Sequence, residues 1–249
     1  MKQRASAHVS TTMEDILTRD SLNAQAYNRL CRDLKAGRFA PGEKLKLRDL
    51  AAEMGISPTP VREALARLIS EQALEQVGHH SVRVPVMSEA RFSEVRELRL
   101  MLEGQAAARA AEHAGPEDVK KLAAIHERMA ALKEAGDTAG ELLESERFHM
   151  AVYALAGMPV LQRIVESLWL QCGPLMKALQ THALGEPRKQ HPHHMVMRGL
   201  RKHDAEVARR GIHDEIERTA APILAYLRER AAAVEQPSAP VRRTAGQTA

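Results

Sequence analysis

Between Leu47 and Leu68 the chain carries two short amphipathic segments joined by a turn with almost no slack. Leu47, Leu50, Ala51 and Met54 are spaced as one apolar helical face, and Gly55 stands where a helix can end in the left-handed conformation. Ser57 then reads as an N-cap. Pro58 takes the first helical position, where its missing N–H removes no ladder bond, and Pro60 is still in that first turn. Val61, Ala64, Leu65 and Leu68 continue with helical period. A corner closed by Gly55-Ile56-Ser57 fixes the angle between the two helices. It also turns the N-terminus of the second one outward, with its free donors and positive dipole end.

The flanking sequence completes a unit. Leu22, Ala26, Leu30 and Leu34 recur every four residues and predict a helix that Gly37 stops; Ala40-Pro41-Gly42 is a turn. Ala73 to Val77 and Val82 to Val84 flank a polar tip, His79-His80-Ser81, which predicts a hairpin. Helices followed by a hairpin make a winged helix-turn-helix, a scaffold that inserts its second corner helix into a DNA groove. Thr59 and Arg62 lie on the first turns of that helix, away from Val61 and Leu65, and Arg48 on the preceding helix reaches toward the same groove. Residues 1–84 carry 13 Lys+Arg against 10 Asp+Glu, whereas residues 85–235 carry 21 against 22. A mildly basic module attached to a near-neutral remainder agrees with a nucleic-acid partner.

The remainder reads as helices at 88–113, 116–135, 139–156, 158–182, 188–203 and 204–233, punctuated by Gly115-Pro116, Gly136-Asp137, Gly157-Met158-Pro159 and Gly185-Glu186-Pro187. Aromatic residues are only 3% of the chain, which argues against a large β-sandwich or barrel. The fold expected is therefore mainly α. A lead-in at 1–18, expected to be flexible, precedes a winged helix-turn-helix domain at 19–86. An all-α bundle at 88–233 follows, and then a tail at 236–249 expected to be disordered. Two cysteines, Cys31 and Cys172, exclude a disulfide scaffold and read as buried apolar residues. The absence of a hydrophobic leader or a membrane-length apolar run predicts a cytoplasmic protein with no membrane partner. No nucleophile elbow, P-loop or dinucleotide glycine motif is present, so no enzyme activity is expected and no catalytic residue is assigned.

A third group of residues is polar where a core is expected. His149 lies mid-helix beside Phe148, Val152 and Tyr153; His191, His193 and His194 precede a later helix. Imidazole and carboxylate from facing helices form a transition-metal arrangement. Arg99, on the first helix of the bundle, is expected to point inward and grip a carboxylate through its fork. His191 and His194 are expected at the surface, and Trp169 in the core or at a dimer contact.

The run Gly42-Glu43-Lys44-Leu45, Leu50-Ala51 and Gly55 to Leu68, with Ser57-Pro58-Thr59-Pro60-Val61-Arg62-Glu63-Ala64-Leu65, resembles the signature of GntR-type transcription regulators. Arg99 to Glu103, Phe148-His149 and Asp204 to Arg209 resemble the helical effector domain of the FadR-like branch (the FCD type). The resemblance implies a homodimer on a palindromic double-stranded DNA operator, with a small organic acid in the helical domain altering DNA affinity. It puts DNA contacts on Arg48, Ser57, Thr59, Arg62 and the wing tip His79 and His80. Pro58 and the tip His79-His80-Ser81 depart from the residues many members carry there. For the helical domain it implies metal ligands at Ser145, where the pattern has Asp, at His149 and His193, which match it, and at Glu215, where it has His. With Ser at the first of these positions, the expected set for a divalent Zn, Mn or Ni is His149, His193 and Glu215, with Ser145, Arg99, His149 and His193 toward the effector. Three readings of the pocket stay open: a metal held by His149, His193 and Glu215, a metal-free pocket bonding an acid directly, or a structural core histidine. The competing functions are a helical metalloenzyme and a small-molecule sensor that has lost specific DNA binding.

Overall fold

The computed structural model describes residues 13–77, 81–175 and 191–235. The wing tip His79-His80, most of the lead-in, residues 176–182 of the helix expected at 158–182, residues 188–190 of the next, and the tail all lie outside these. The first helix, α1, spans Met13–Lys35 and so begins inside the stretch expected as a lead-in. The corner follows as α2 (Leu47–Met54) and α3 (Pro58–Ser70). Gly55 takes φ 67° and its N–H reaches back to the Ala51 and Ala52 carbonyls, as a left-handed helix end requires. Ser57 occupies the N-cap position of α3 but makes no side-chain cap bond.

The wing is a three-stranded antiparallel sheet in the order β1-β3-β2, with β1 Lys44–Leu45, β2 Glu75–Val77 and β3 Ser81–Arg83. The strand β1 was not expected. Two residues cannot show an alternating pattern, and β1 forms because Gly42 N–H bonds the Val84 carbonyl at 2.9 Å and draws the turn onto the hairpin. Across the hairpin Glu75 stands opposite Arg83, and the two side chains pair at 2.5 Å. Leu30, Leu34, Leu50, Val61, Leu65, Leu68, Leu74 and Val84 form the core of this module, and Leu170 from the second half of the chain joins it.

The second half contains α4 (Glu89–His113), α5 (Pro116–Glu134), α6 (Thr138–Ala154) and α7 (Pro159–Cys172), which runs into a 3₁₀ turn at Gly173–Leu175. The helices α8 (Pro192–Lys202) and α9 (Ala205–Glu235) complete it. The helical stretch expected to run from 158 therefore gives way at Cys172, and the helix expected from 188 is described from Pro192, with His191 in its N-cap position. The pair α8 and α9 pack backbone to backbone: a Cβ on Gly199 would lie 2.4 Å from the Ala208 nitrogen, and one on Gly211 2.7 Å from a Val196 methyl. Ala106, Ala107, Ala110 and Ala111 give α4 a smooth face in the core with Val152, Leu122 and Ile212. Cys31 and Cys172 are free and buried. Among the described residues no helix is long and apolar enough to cross a membrane.

Candidate functional site

On the winged module Arg48, Ser57, Thr59 and Arg62 are all exposed, at the start of α2 and the N-terminal turns of α3. Neighbouring arginines are tied down: Arg29 and Arg38 pair with Asp33 and Glu53, and Arg67 pairs with Glu71 while lying 3.6 Å from the Tyr27 ring centroid. Arg48 and Arg62 have no acidic partner among the described residues. Their guanidinium groups are therefore free for phosphate or a base edge, and the α3 N-terminus adds backbone donors.

In the bundle the polar residues converge on a cavity of about 130 Å³ lined by α1, α4, α5, α6, α7 and α9. His149 and Ser145, one turn apart on α6, both line it, as do Glu215 and Arg218 on α9. His193, at the N-terminus of α8, is fully buried with its ring stacked on Phe148 at 3.7 Å. His149 Nε2 and His193 Nε2 lie 3.4 Å apart, and His193 Nε2 is 3.9 Å from Glu215 Oε2. Two nitrogens bound to one tetrahedral metal at about 2.0–2.1 Å would stand about 3.3 Å apart. Glu215 Oε2 is buried and accepts no hydrogen bond. These residues therefore fit a divalent cation.

Protonation agrees with that fit. Burial, with the Arg99 charge nearby, pushes the His149 pKa down to about 3, and burial lowers that of His193 well below the ordinary imidazole value. Both are neutral near pH 7 and offer lone pairs. The tautomer of His149 follows from its partners. Tyr153 donates its hydroxyl hydrogen to Glu103 Oε2 at 2.6 Å, so His149 Nδ1, 3.1 Å from that hydroxyl, must carry the ring proton. Nε2 is left as an unprotonated lone pair facing His193 Nε2. Burial raises the Glu215 pKa, against the lowering pull of Arg218.

Two expectations meet a different arrangement. Arg99 points inward and lines the cavity, as expected, but its fork already holds the fully buried Glu103 carboxylate at 2.6 Å. His191, expected at the surface, is only 20% exposed: it lines the cavity, and burial, reinforced by Arg218, takes its pKa to about 3. His194 is exposed, as expected, and His213 turns away to bond the Leu100 carbonyl at 2.9 Å. Trp169, expected as core or dimer contact, lines the cavity and donates to Glu103 at 3.1 Å. Glu103, Tyr153, His126 and Arg218 were missed as site residues. Glu103 had a signal, because it falls one turn after Arg99 on the face continued by Ala106, Ala107 and Ala110. His126, whose Nδ1 is 3.1 Å from His193 Nδ1, had none, since one histidine on an amphipathic helix marks nothing by itself.

Residues 22–84 match the family described as bacterial regulatory proteins, gntR family, and residues 94–218 match the FCD domain. The chain is 33% identical over 193 residues to the HTH-type transcriptional regulator McbR of Escherichia coli (strain K12), covering 76% of this chain and 86% of that one. The solved structure of E. coli McbR/YncC superposes with a TM-score of 0.76 at 29% identity, over 84% of this chain and 98% of the other. A GntR regulator from Rhodococcus sp. RHA1, at 20% identity and a TM-score of 0.66 over 82% of this chain and 98% of that one, shares the fold. With its helix-turn-helix module and its helical partner both matched, the chain belongs to the GntR family of bacterial transcription regulators, in the branch that carries an FCD domain.

Proposed function

We propose that this ligand-responsive DNA-binding regulator acts in the cytoplasm as a homodimer on a palindromic operator, and that a small organic acid, held beside a divalent metal in the bundle cavity, changes its affinity for DNA. The observation that carries the ligand half is the convergence of two neutral imidazoles and an unsatisfied carboxylate oxygen, with His149 and Glu215 in the cavity wall and His193 buried beside them. His149, His193 and Glu215 would hold Zn²⁺, Mn²⁺ or Ni²⁺, which when bound supplies a Lewis-acid position for a carboxylate oxygen. Ser145 presents its hydroxyl to water or acid one turn from His149. Arg218 Nε, a buried donor without a partner, adds a second attraction for an anion.

On the DNA side Arg62 and Thr59 read or grip the groove from α3, and Arg48 and Ser57 contact the backbone beside it. His79 and His80, expected at the wing tip, lie outside the described residues. One such module spans one half-site, so two copies related by a two-fold axis supply the specificity that an operator needs.

The test combines metal analysis with thermal denaturation. Wild-type protein should carry a divalent metal or gain melting temperature when one is added, by mass action. His149→Ala should lose that gain and keep its basal operator binding. A wild type that carries none and responds to none leaves the metal-free arrangement, in which His149, His193 and Arg218 bond the acid directly. Sedimentation should show a dimer at micromolar concentration, and a monomer with and without DNA overturns the assembly.

A further inference from the structure

The wall of the cavity is not confined to the helical domain. Lys35, in the last turn of α1 and so part of the winged module, lines it together with Glu146, the neighbour of Ser145 on α6. Lys35 Nζ and Glu146 Oε1 pair at 2.5 Å, with only 16% and 17% of the two side chains exposed. The backbone around Lys35 is tightly seated as well. A Cβ on Gly173, just after α7, would fall 2.6 Å from the Leu34 carbonyl oxygen and 2.8 Å from the Lys35 Cα, so this contact tolerates glycine alone. Farther along the same junction Ser167 on α7 bonds the Glu71 carbonyl at 3.1 Å, and Leu170 sits in the core of the winged module.

Three cations from different parts of the fold therefore line one cavity, and they differ in how they are held: the Arg99 fork is bound by the fully buried Glu103. Arg218 bonds Glu215 and His191 through Nη2 but has a buried Nε without a partner. Lys35 is neutralised by Glu146, a partner that keeps partial access to solvent and is replaceable by another carboxylate.

We propose, resting on the acid-sensing reading above, that Lys35 is a ligand-binding residue supplied by the DNA-binding module, and that the acid this cavity takes carries two anionic groups. One group is held near Arg218 and the imidazoles. The other replaces Glu146 on Lys35, and Glu146 turns to water. Exchange of one carboxylate for another conserves charge in the cavity while cutting the ion pair that ties the end of α1 to α6. Occupancy of the cavity is then passed to the winged module through a residue of that module itself, with no relay through the interdomain segment near Val86.

The experiment titrates the full chain, with and without Mn²⁺, with dicarboxylates from malonate to adipate and with monocarboxylates of the same carbon number. In wild type at least one dicarboxylate should bind about tenfold more tightly than its monocarboxylate counterpart, the worth of one charge-assisted hydrogen bond. Lys35→Met should collapse that ratio to near one, Lys35→Arg should keep it, and Glu146→Gln should raise it by freeing the amine. Hydrogen exchange over residues 30–35 should rise when the dicarboxylate binds wild type. A ratio unchanged in a folded Lys35→Met protein, or no dicarboxylate preferred by wild type or Glu146→Gln, overturns the proposal. Acid binding that disappears in Arg218→Ala but survives with the same preference in Lys35→Met overturns it too, while leaving the acid-sensing function standing.

Discussion

The two working regions of the molecule treat their charges in opposite ways. On the winged module Arg48 and Arg62 stand in solvent without acidic partners among the described residues, so their charge is free for an outside anion. In the bundle Arg99, Glu103, Tyr153 and Trp169 form a closed network in which Glu103 accepts from all three neighbours. A free surface cation contributes little to folding and much to binding a polyanion. A buried paired charge contributes rigidity, and removing one member leaves the other without compensation. Substitutions should therefore separate binding from stability on the module and merge them in the bundle.

The largest separation should come from acid. In the metal-free chain His149 and His191 titrate at about 3 in the folded state, because burial disfavours their charged forms. In the unfolded chain they titrate near the ordinary value of about 6.5. The unfolded state then takes up more protons between those limits. The stability these residues contribute is whole above about pH 6.5 and is lost as pH falls toward 3, at up to about 1.4 kcal/mol per pH unit for the buried His149 and less for the partly exposed His191. Loss of bundle structure should begin before the winged module, which has no such group among its described residues, is affected directly. The single tryptophan, Trp169, lies 5.1 Å from the His149 ring, and its fluorescence reports the event. A fluorescence signal flat from pH 7 to 4 in chelator would remove this contrast.

Glu103→Ala comes next. It strands the Arg99 guanidinium and the Tyr153 hydroxyl in a buried site, at a cost of about 3–5 kcal/mol. Urea denaturation measures it, and a loss below about 1 kcal/mol would mean that water reaches the network. By contrast Arg62→Ala should leave folding stability within about 0.5 kcal/mol and weaken operator binding by about 1–3 kcal/mol if its fork meets one base pair. Equal operator affinity in a folded Arg62→Ala dimer would transfer the reading role to another residue.

The same contrast explains what the sequence made legible. The corner from Leu47 to Leu68 is local: Gly55, Ser57, Pro58 and the apolar period sit within one stretch, and α2 begins and ends at the residues expected. Helix positions in the bundle followed from Gly and Pro punctuation for the same reason. The cavity and the buried groups beside it are not local. Glu103, His149, His193, Glu215 and Lys35 come from five helices, and only packing brings them together. His149, His193 and Glu215 were found through resemblance to the FCD pattern, which supplied the spacing that periodicity lacks. His191 was misplaced because a polar run before a helix reads as surface, and nothing local announces that α5 and α9 will cover it. The strand β1 was missed because two residues carry no period.

The smallest expected effect separates the roles of a single residue. Ser57 is the N-cap of α3 by position, and a serine cap normally contributes about 1 kcal/mol through its side-chain oxygen. Here that oxygen makes no cap bond, and the residue is exposed. Pro58 at the first helical position removes one donor that a cap would satisfy and holds φ ready for the helix by itself. Ser57→Ala should thus change stability by less than about 0.5 kcal/mol, as for an ordinary surface substitution. If the hydroxyl instead serves a phosphate at the start of α3, operator affinity should fall by about 1 kcal/mol, with no change in preference among operator sequences. Denaturation and gel shift on the same protein read the two quantities. A stability loss near 1 kcal/mol with unchanged DNA binding would make Ser57 a cap in solution and take it off the DNA face.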